Sequence, residues 1–190
     1  MKKISTLFKK DPSDLSRVIA EVDPENAWAL TSGMAYRKFD GTACAIIDGE
    51  LYKRYDAKHG KPAPIGGIPC QDPDPITGHW PHWVRCDPND PADQYFWEGW
   101  LNLGDGNRHY GTYELCGPKV KRNPEGFTTH FLIPHEAWPL VLTYSQRTFE
   151  FIQAFLFVLQ VEGIVFHHPD GRMCKIRKTD FGFKREAAAL

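Results

Sequence analysis

No CxxC pair, no internal repeat, no low-complexity tract and no long apolar run occurs in these 190 residues. The five cysteines, Cys44, Cys70, Cys86, Cys116 and Cys174, are odd in number, so reduced thiols inside a cell are expected and a disulfide framework is not. The densest apolar stretch, Phe149 to Val161, is broken by Glu150, Gln153 and Gln160 and falls short of the roughly 18 apolar residues of a membrane span. Met1 to Lys10 is basic but lacks an apolar core. The expectation is a soluble, cytoplasmic protein without a membrane partner. The net charge of −1 carries no global signature of nucleic-acid binding, so a polyanion would have to be met by a local patch.

What is present has the mix of one compact domain, 42% apolar and 25% charged. Residues 1–186 are expected to form it, with Ala187-Ala188-Ala189-Leu190 set aside as a cloning scar. Ser13 to Val22, after the Asp11-Pro12 turn, reads as a short helix, and Ala27 to Leu30 as a strand. Asp48-Gly49 between two apolar runs predicts a hairpin within Lys38 to Tyr55, because glycine accepts the positive φ of a tight turn. Residues 69–98 hold six prolines and six acids against one arginine, and predict an ordered but irregular loop region anchored by Trp80, Trp83 and Trp97. Strands are expected at Trp97–Leu103, Tyr110–Cys116, Thr129–Ile133, 163–166 and 173–177, with a buried helix over Thr148–Leu159. The class is α+β, with antiparallel sheets and a few flanking helices.

The sharpest local signal is Lys38-Phe39-Asp40-Gly41 at the start of the hairpin. A lysine is a nucleophile only when deprotonated, a state that burial or neighbouring cations favour, and Arg37 is adjacent. Alone, a KxDG string occurs in many surface turns. Four further elements follow it in order: Lys53-Arg54-Tyr55, Tyr113-Glu114-Leu115-Cys116-Gly117, Glu162-Gly163-Ile164-Val165, and Lys175-Ile176-Arg177. With this series the chain resembles the covalent nucleotidyltransferases, the superfamily of ATP-dependent DNA ligases, RNA ligases and capping enzymes. Gly78-His79-Trp80-Pro81-His82-Trp83, Asn123-Pro124-Glu125-Gly126, His130 to His135 and Val161 to His167 narrow the resemblance to the small 5′-to-3′ RNA ligases of animals and phages.

The resemblance implies the nucleotidyltransferase fold of a ligase adenylation domain, and an ATP-dependent ligase that joins 5′-phosphate and 3′-hydroxyl RNA ends through lysyl-AMP, in RNA repair. Lys38 would attack the α-phosphorus, and Lys175 would contact the α-phosphate, with Arg177 as second cation. Arg54 would grip phosphate or ribose, Glu114 would accept from ribose hydroxyls, and Phe131 would stack on adenine. Glu162 would hold Mg²⁺ or Mn²⁺, and Asp40 and Gly41 would shape the turn presenting Lys38. The chain departs from the family pattern at Arg37, where ligases often carry an acid, and at Arg177, which replaces a lysine. The same superfamily offers a DNA nick ligase or a GMP-transferring capping enzyme, and a non-catalytic RNA-end-binding module is the alternative outside enzymes. No OB-type domain is expected, and residues 62–98 and the basic tail are expected to take its part in closing over substrate.

Two further groupings bear on partners. Arg172 to Arg185 contains six Lys or Arg and one acid, and Lys119, Lys121 and Arg122 form a second basic group suited to RNA phosphates. Cys70, His79, His82 and Cys86 are candidate zinc ligands with irregular spacing; the alternative is that Trp80 and Trp83 anchor the loop and leave the histidines exposed. His167 and His168 are expected to decorate a surface turn.

Overall fold

A computed structural model describes residues 4–58, 61–75 and 77–184; the expected scar at 187–190 lies outside them. The fold is mixed α+β, mostly sheet. Among the described residues no helix is long and apolar enough to cross a membrane.

Strands β1 (Ser5–Thr6), β2 (Phe8–Asp11) and β3 (Asp14–Val22) open the chain, so the helix expected over Ser13–Val22 is a strand. Asp11 accepts hydrogen bonds from the backbone and hydroxyl of Ser13, and Asp14 does the same for Ser16. Such local bonds compete with a helix, and the β-branched Val18-Ile19 suits the extended chain. Ala27–Leu30, expected as a strand, lies in a 3-10 segment over Pro24–Leu30. Asp23 caps that segment by accepting from Glu25 N at 3.0 Å, and Pro24 presets its first φ.

β4 (Met34–Lys38) leads to β5 (Thr42–Ile47) and β6 (Glu50–Ala57). The hairpin turn falls at Asp48-Gly49, with φ of 51° and 77°, as its sequence requires. The region read as free of regular sheet instead holds β7 (Ile68–Pro69) and β8 (Trp80–Arg85). Proline is tolerated there because Pro69 sits on an edge strand, and Pro81, though it has no donor, still accepts from Cys70 N at 2.9 Å. The strand expected from Trp97 is part of α1 (Gln94–Leu103), whose Phe96, Trp100 and Leu103 recur at helical spacing and pack on one core. β9 (Gly111–Cys116), β10 (Phe131–Pro134), β11 (Pro139–Leu140), α2 (Phe149–Val158), β12 (Gly163–His167) and β13 (Met173–Arg177) complete the chain. All but β11 lie where the sequence patterns predict them.

The chain forms two compact units, and the boundaries fall at Phe39/Asp40 and Pro134/His135. In the unit from Asp40 to Pro134, six antiparallel strands run in the order β10-β9-β5-β6-β8-β7. Its core gathers Cys44, Ile46, Leu51, Phe96, Leu115 and Leu132. The other unit, residues up to Phe39 with those from His135, has the sheet β1-β13-β12-β4-β11 and the β2–β3 hairpin. Its core gathers Leu7, Phe8, Ile152, Leu156, Ile164 and Phe166, each worth about 1.5–3 kcal/mol of apolar burial. Arg147, 5% exposed, donates to the carbonyls of Ala29, Ser32 and Gly33 at 2.7, 2.6 and 3.0 Å, which joins the 3-10 segment to the start of α2.

Candidate active site

In the second unit, β12 lies between β4 and β13. Gly163 is opposite Lys38 on one side and Arg177 on the other, and Val165 is opposite Tyr36 and Lys175. Side chains alternate faces along a strand, so Lys38, Lys175, Arg177 and Tyr36 share one face. The other face turns Ala35, Ile164, Phe166, Cys174 and Ile176 into the core. A cationic row is thereby laid on the back of an apolar sheet.

Gly163 makes that row possible. A Cβ on it would meet the Ile176 carbonyl oxygen at 2.2 Å and the Arg177 Cα at 2.8 Å. The glycine of the Glu162-Gly163 pair is therefore a close-approach residue between two strands.

Lys38 ends β4, and its Nζ donates to Glu162 Oε2 at 2.5 Å and to the Phe39 carbonyl at 3.3 Å. Both side chains of the pair are largely shielded, at 21% and 16% exposure. Lys175 is different: its ammonium makes no hydrogen bond or ion pair among the described residues. Burial, then the charges of Arg177 and Lys38, push it down to about 8. A desolvated cation beside two others is a site prepared for an anion. Arg177 is held by Asp180, with Nε and Nη2 donating at 3.2 and 2.8 Å. Arg37 stacks over Phe39 at 4.5 Å and faces Trp138 at 5.8 Å.

In the first unit, the Asp40-Gly41 turn is pinned from two directions. Gly41 N donates to the buried Glu114 Oε1 at 3.0 Å, and Asp40 N to Glu125 Oε1 at 2.8 Å. Asp40 also pairs with Lys121 at 3.1 Å. A Cβ on Gly41 would lie 2.1 Å from the Leu115 carbonyl oxygen, so only glycine lets this turn approach β9. Lys121, Arg122 and Asn123 all have positive φ, an uncommon run for residues with side chains, and Asn123 secures it by bonding both backbone groups of Phe127. Arg54 lies on β6 with Asp56 as a distant partner at 3.4 Å. Phe131 starts β10 and meets Phe127 edge-on at 5.6 Å.

The remaining sequence candidates fall elsewhere. Among the described residues no three His, Cys, Asp or Glu side chains gather as metal ligands, and this includes Cys70, His79, His82 and Cys86. His82 and Cys86 are buried, the former with Nδ1 2.8 Å from the Trp80 carbonyl, so the histidines are not both exposed. His167 is enclosed rather than on a turn surface, with Nδ1 2.9 Å from Glu136. Sequence reading missed Asp180 as a partner of Arg177, although an acid three residues after the N-cap of a helical turn is a capping-box spacing. It also missed Lys10, for which no local signal exists. No protein-family model matches this chain, and no curated protein matches it.

Proposed function

We propose that this chain is an ATP-dependent RNA ligase of the nucleotidyltransferase fold, joining 5′-phosphate to 3′-hydroxyl ends. The observation that carries the reading is the Lys38–Glu162 pair lying beside Lys175, a cation without a partner among the described residues. It supports the roles that the resemblance assigns to these three positions.

In the first step the Lys38 Nζ lone pair forms a nitrogen–phosphorus bond with the α-phosphorus of ATP. The ammonium first gives one proton to Glu162, which frees that lone pair. As the nitrogen–phosphorus bond forms, the bond from the α-phosphorus to the bridging oxygen breaks, and pyrophosphate leaves with the second proton lost from Nζ. Charge developing on the α-phosphate is met by Lys175 and by Arg177. An oxygen of the RNA 5′-phosphate then displaces Lys38 and forms a 5′-to-5′ pyrophosphate link to AMP. Attack by a 3′-hydroxyl releases AMP and seals the strand.

Arg54, Glu114 and Phe131 take their nucleotide contacts from the resemblance alone. Glu162 is the carboxylate that would hold Mg²⁺ or Mn²⁺, since one carboxylate with substrate phosphates is an ordinary arrangement for such ions, and the ion would neutralise charge on the departing pyrophosphate.

The test is incubation with α-labelled ATP or GTP and divalent metal, followed by separation under denaturing conditions. Covalent label from ATP that disappears in Lys38→Ala is expected; label that survives the substitution overturns the reading. Label from GTP alone points to capping, and sealing of DNA but not RNA ends points to a DNA ligase. End-specific RNA binding without label is the outcome for a non-catalytic module.

A further inference from the structure

The chain just after β13 belongs to no motif, yet it holds two motif residues. Lys178–Phe181 forms a 3-10 turn. Lys178 N donates to the Glu162 carbonyl at 2.8 Å, and the buried Lys178 Nζ donates to the Leu159 carbonyl at 2.9 Å, which fixes the backbone that carries Glu162.

Asp180, wholly buried, accepts four bonds. Arg177 gives three, from its backbone N at 2.8 Å, Nε at 3.2 Å and Nη2 at 2.8 Å, and Lys10 Nζ gives one at 2.7 Å. Burial pushes this carboxyl up, but the bonds from Arg177 and Lys10 outweigh it and hold it below the usual carboxylate range. The β2–β3 hairpin adds a second clamp, Arg17 Nη1 donating to the Phe181 carbonyl at 2.9 Å.

This fork engages one edge of the guanidinium, Nε and Nη2, and leaves Nη1 without a partner among the described residues. An arginine held in this way keeps a second edge for another anion and loses little freedom on binding it. Unheld, the long side chain would have to be ordered at that moment.

We propose that Asp180 is a positioning residue of the nucleotide site: it orients Arg177 so that its Nη1 edge stays open to a phosphate, with Lys10 of the N-terminal hairpin as outer support. The identity of the phosphate rests on the ligase reading above. A purely structural Asp180 would leave the rate of lysyl-AMP formation in a folded variant unchanged. A positioning one acts on the charge balance of the cationic row. Arg177 and Lys38 push Lys175 down, while Asp180 and Glu162 push it up.

The experiment titrates full-length protein labelled with ¹⁵N-lysine, the Lys175 signal being identified by its loss in Lys175→Arg. In Asp180→Asn the Lys175 midpoint moves to lower pH; in Lys10→Met, which keeps the carboxylate, it does not. In parallel, lysyl-AMP formation in Asp180→Asn slows by roughly 10- to 100-fold, and its alkaline limb moves to lower pH. Adding Asp180→Asn to Arg177→Gln costs no further rate. If Asp180→Asn does not fold, its combination with Lys10→Met removes both charges of the buried pair and replaces it. An unmoved Lys175 midpoint in a folded variant, or additive losses in the double variant, overturns the proposal. A wild type that forms no lysyl-AMP overturns the ligase reading instead, and the titration still decides the role of Asp180.

Discussion

Lys38 Nζ and Glu162 Oε2 are 2.5 Å apart although 124 residues separate them in the chain. The pairing of β4 with β12 brings them together, since Gly163 is opposite Lys38 and Glu162 immediately precedes it. On the proposed ligase reading Lys38 must shed a proton to attack, and the carboxylate in direct contact with it is the geometry that acid–base chemistry needs first.

Lys38→Ala is expected to abolish covalent labelling by ATP while the protein keeps a cooperative melt, the largely shielded Glu162 left without its partner costing about 1–3 kcal/mol. Glu162→Gln should slow labelling by roughly 10²- to 10⁴-fold, the range for loss of a proton acceptor. Labelling rates and thermal melts of the same samples check both statements. A cooperative melt lost in Lys38→Ala would make the residue structural.

Lys175→Met should stabilise the protein at neutral pH and remove its activity. The folded-state value is about 8 against 10.5 for a free side chain, so the unfolded chain binds more protons between those values and stability rises with pH across that window. Below it, the folded protein carries the full cost of a desolvated cation. Replacement by an apolar side chain should relieve about 1–3 kcal/mol at pH 7, and the gain should fade by about pH 10. Denaturant titrations at several pH values measure this, and a variant less stable than wild type at pH 7 would contradict it.

Gly163→Ala should cost about 1–3 kcal/mol or more, because its Cβ would sit 2.2 Å from a backbone carbonyl that has nowhere cheap to go. It should also slow labelling even where the protein remains folded, since Lys38 and Arg177 flank this glycine. Equal labelling rates in a folded variant would show that the row tolerates separation.

Glu98→Gln should weaken the first unit near neutral pH and have less effect in acid. Hydrogen bonds from Thr129 Oγ1, His130 N and His130 Nδ1 hold the Glu98 carboxyl down at about 2. Its folded value lies below the free value of 4.5, so the stabilisation is present above about 4.5 and lost as pH falls toward 2. The side chain is 42% exposed, and solvent screening keeps the effect under about 1 kcal/mol. Denaturation midpoints at pH 7 and pH 2.5 give the comparison.

The misread segments have local causes. Ser13–Val22 reads as a helix from the Asp11-Pro12 turn before it, and Trp97–Leu103 reads as a strand from a short apolar run whose period is ambiguous at that length. In the first, side-chain turns at Asp11 and Asp14 tipped the chain to a hairpin. In the second, the start signal lies upstream, where Asp90 caps Pro91–Asp93 and feeds α1. Proline counting hid β8 because a strand tolerates Pro81 when its neighbour asks only for the carbonyl.

The sequence by itself determined the α+β class, the Asp48-Gly49 turn, α2 and the two C-terminal strands, because each depends on periodicity or on glycine's access to positive φ within a few residues. It also marked Lys38, Glu162 and Lys175 as residues to watch. Only the tertiary structure decided that Lys38 meets Glu162, that Lys175 lacks a partner among the described residues, and that Asp180 joins Arg177 to Lys10 across 170 residues. Those contacts depend on which strands are neighbours and in what register, and register is set by the burial of a whole sheet face rather than by any local string of residues.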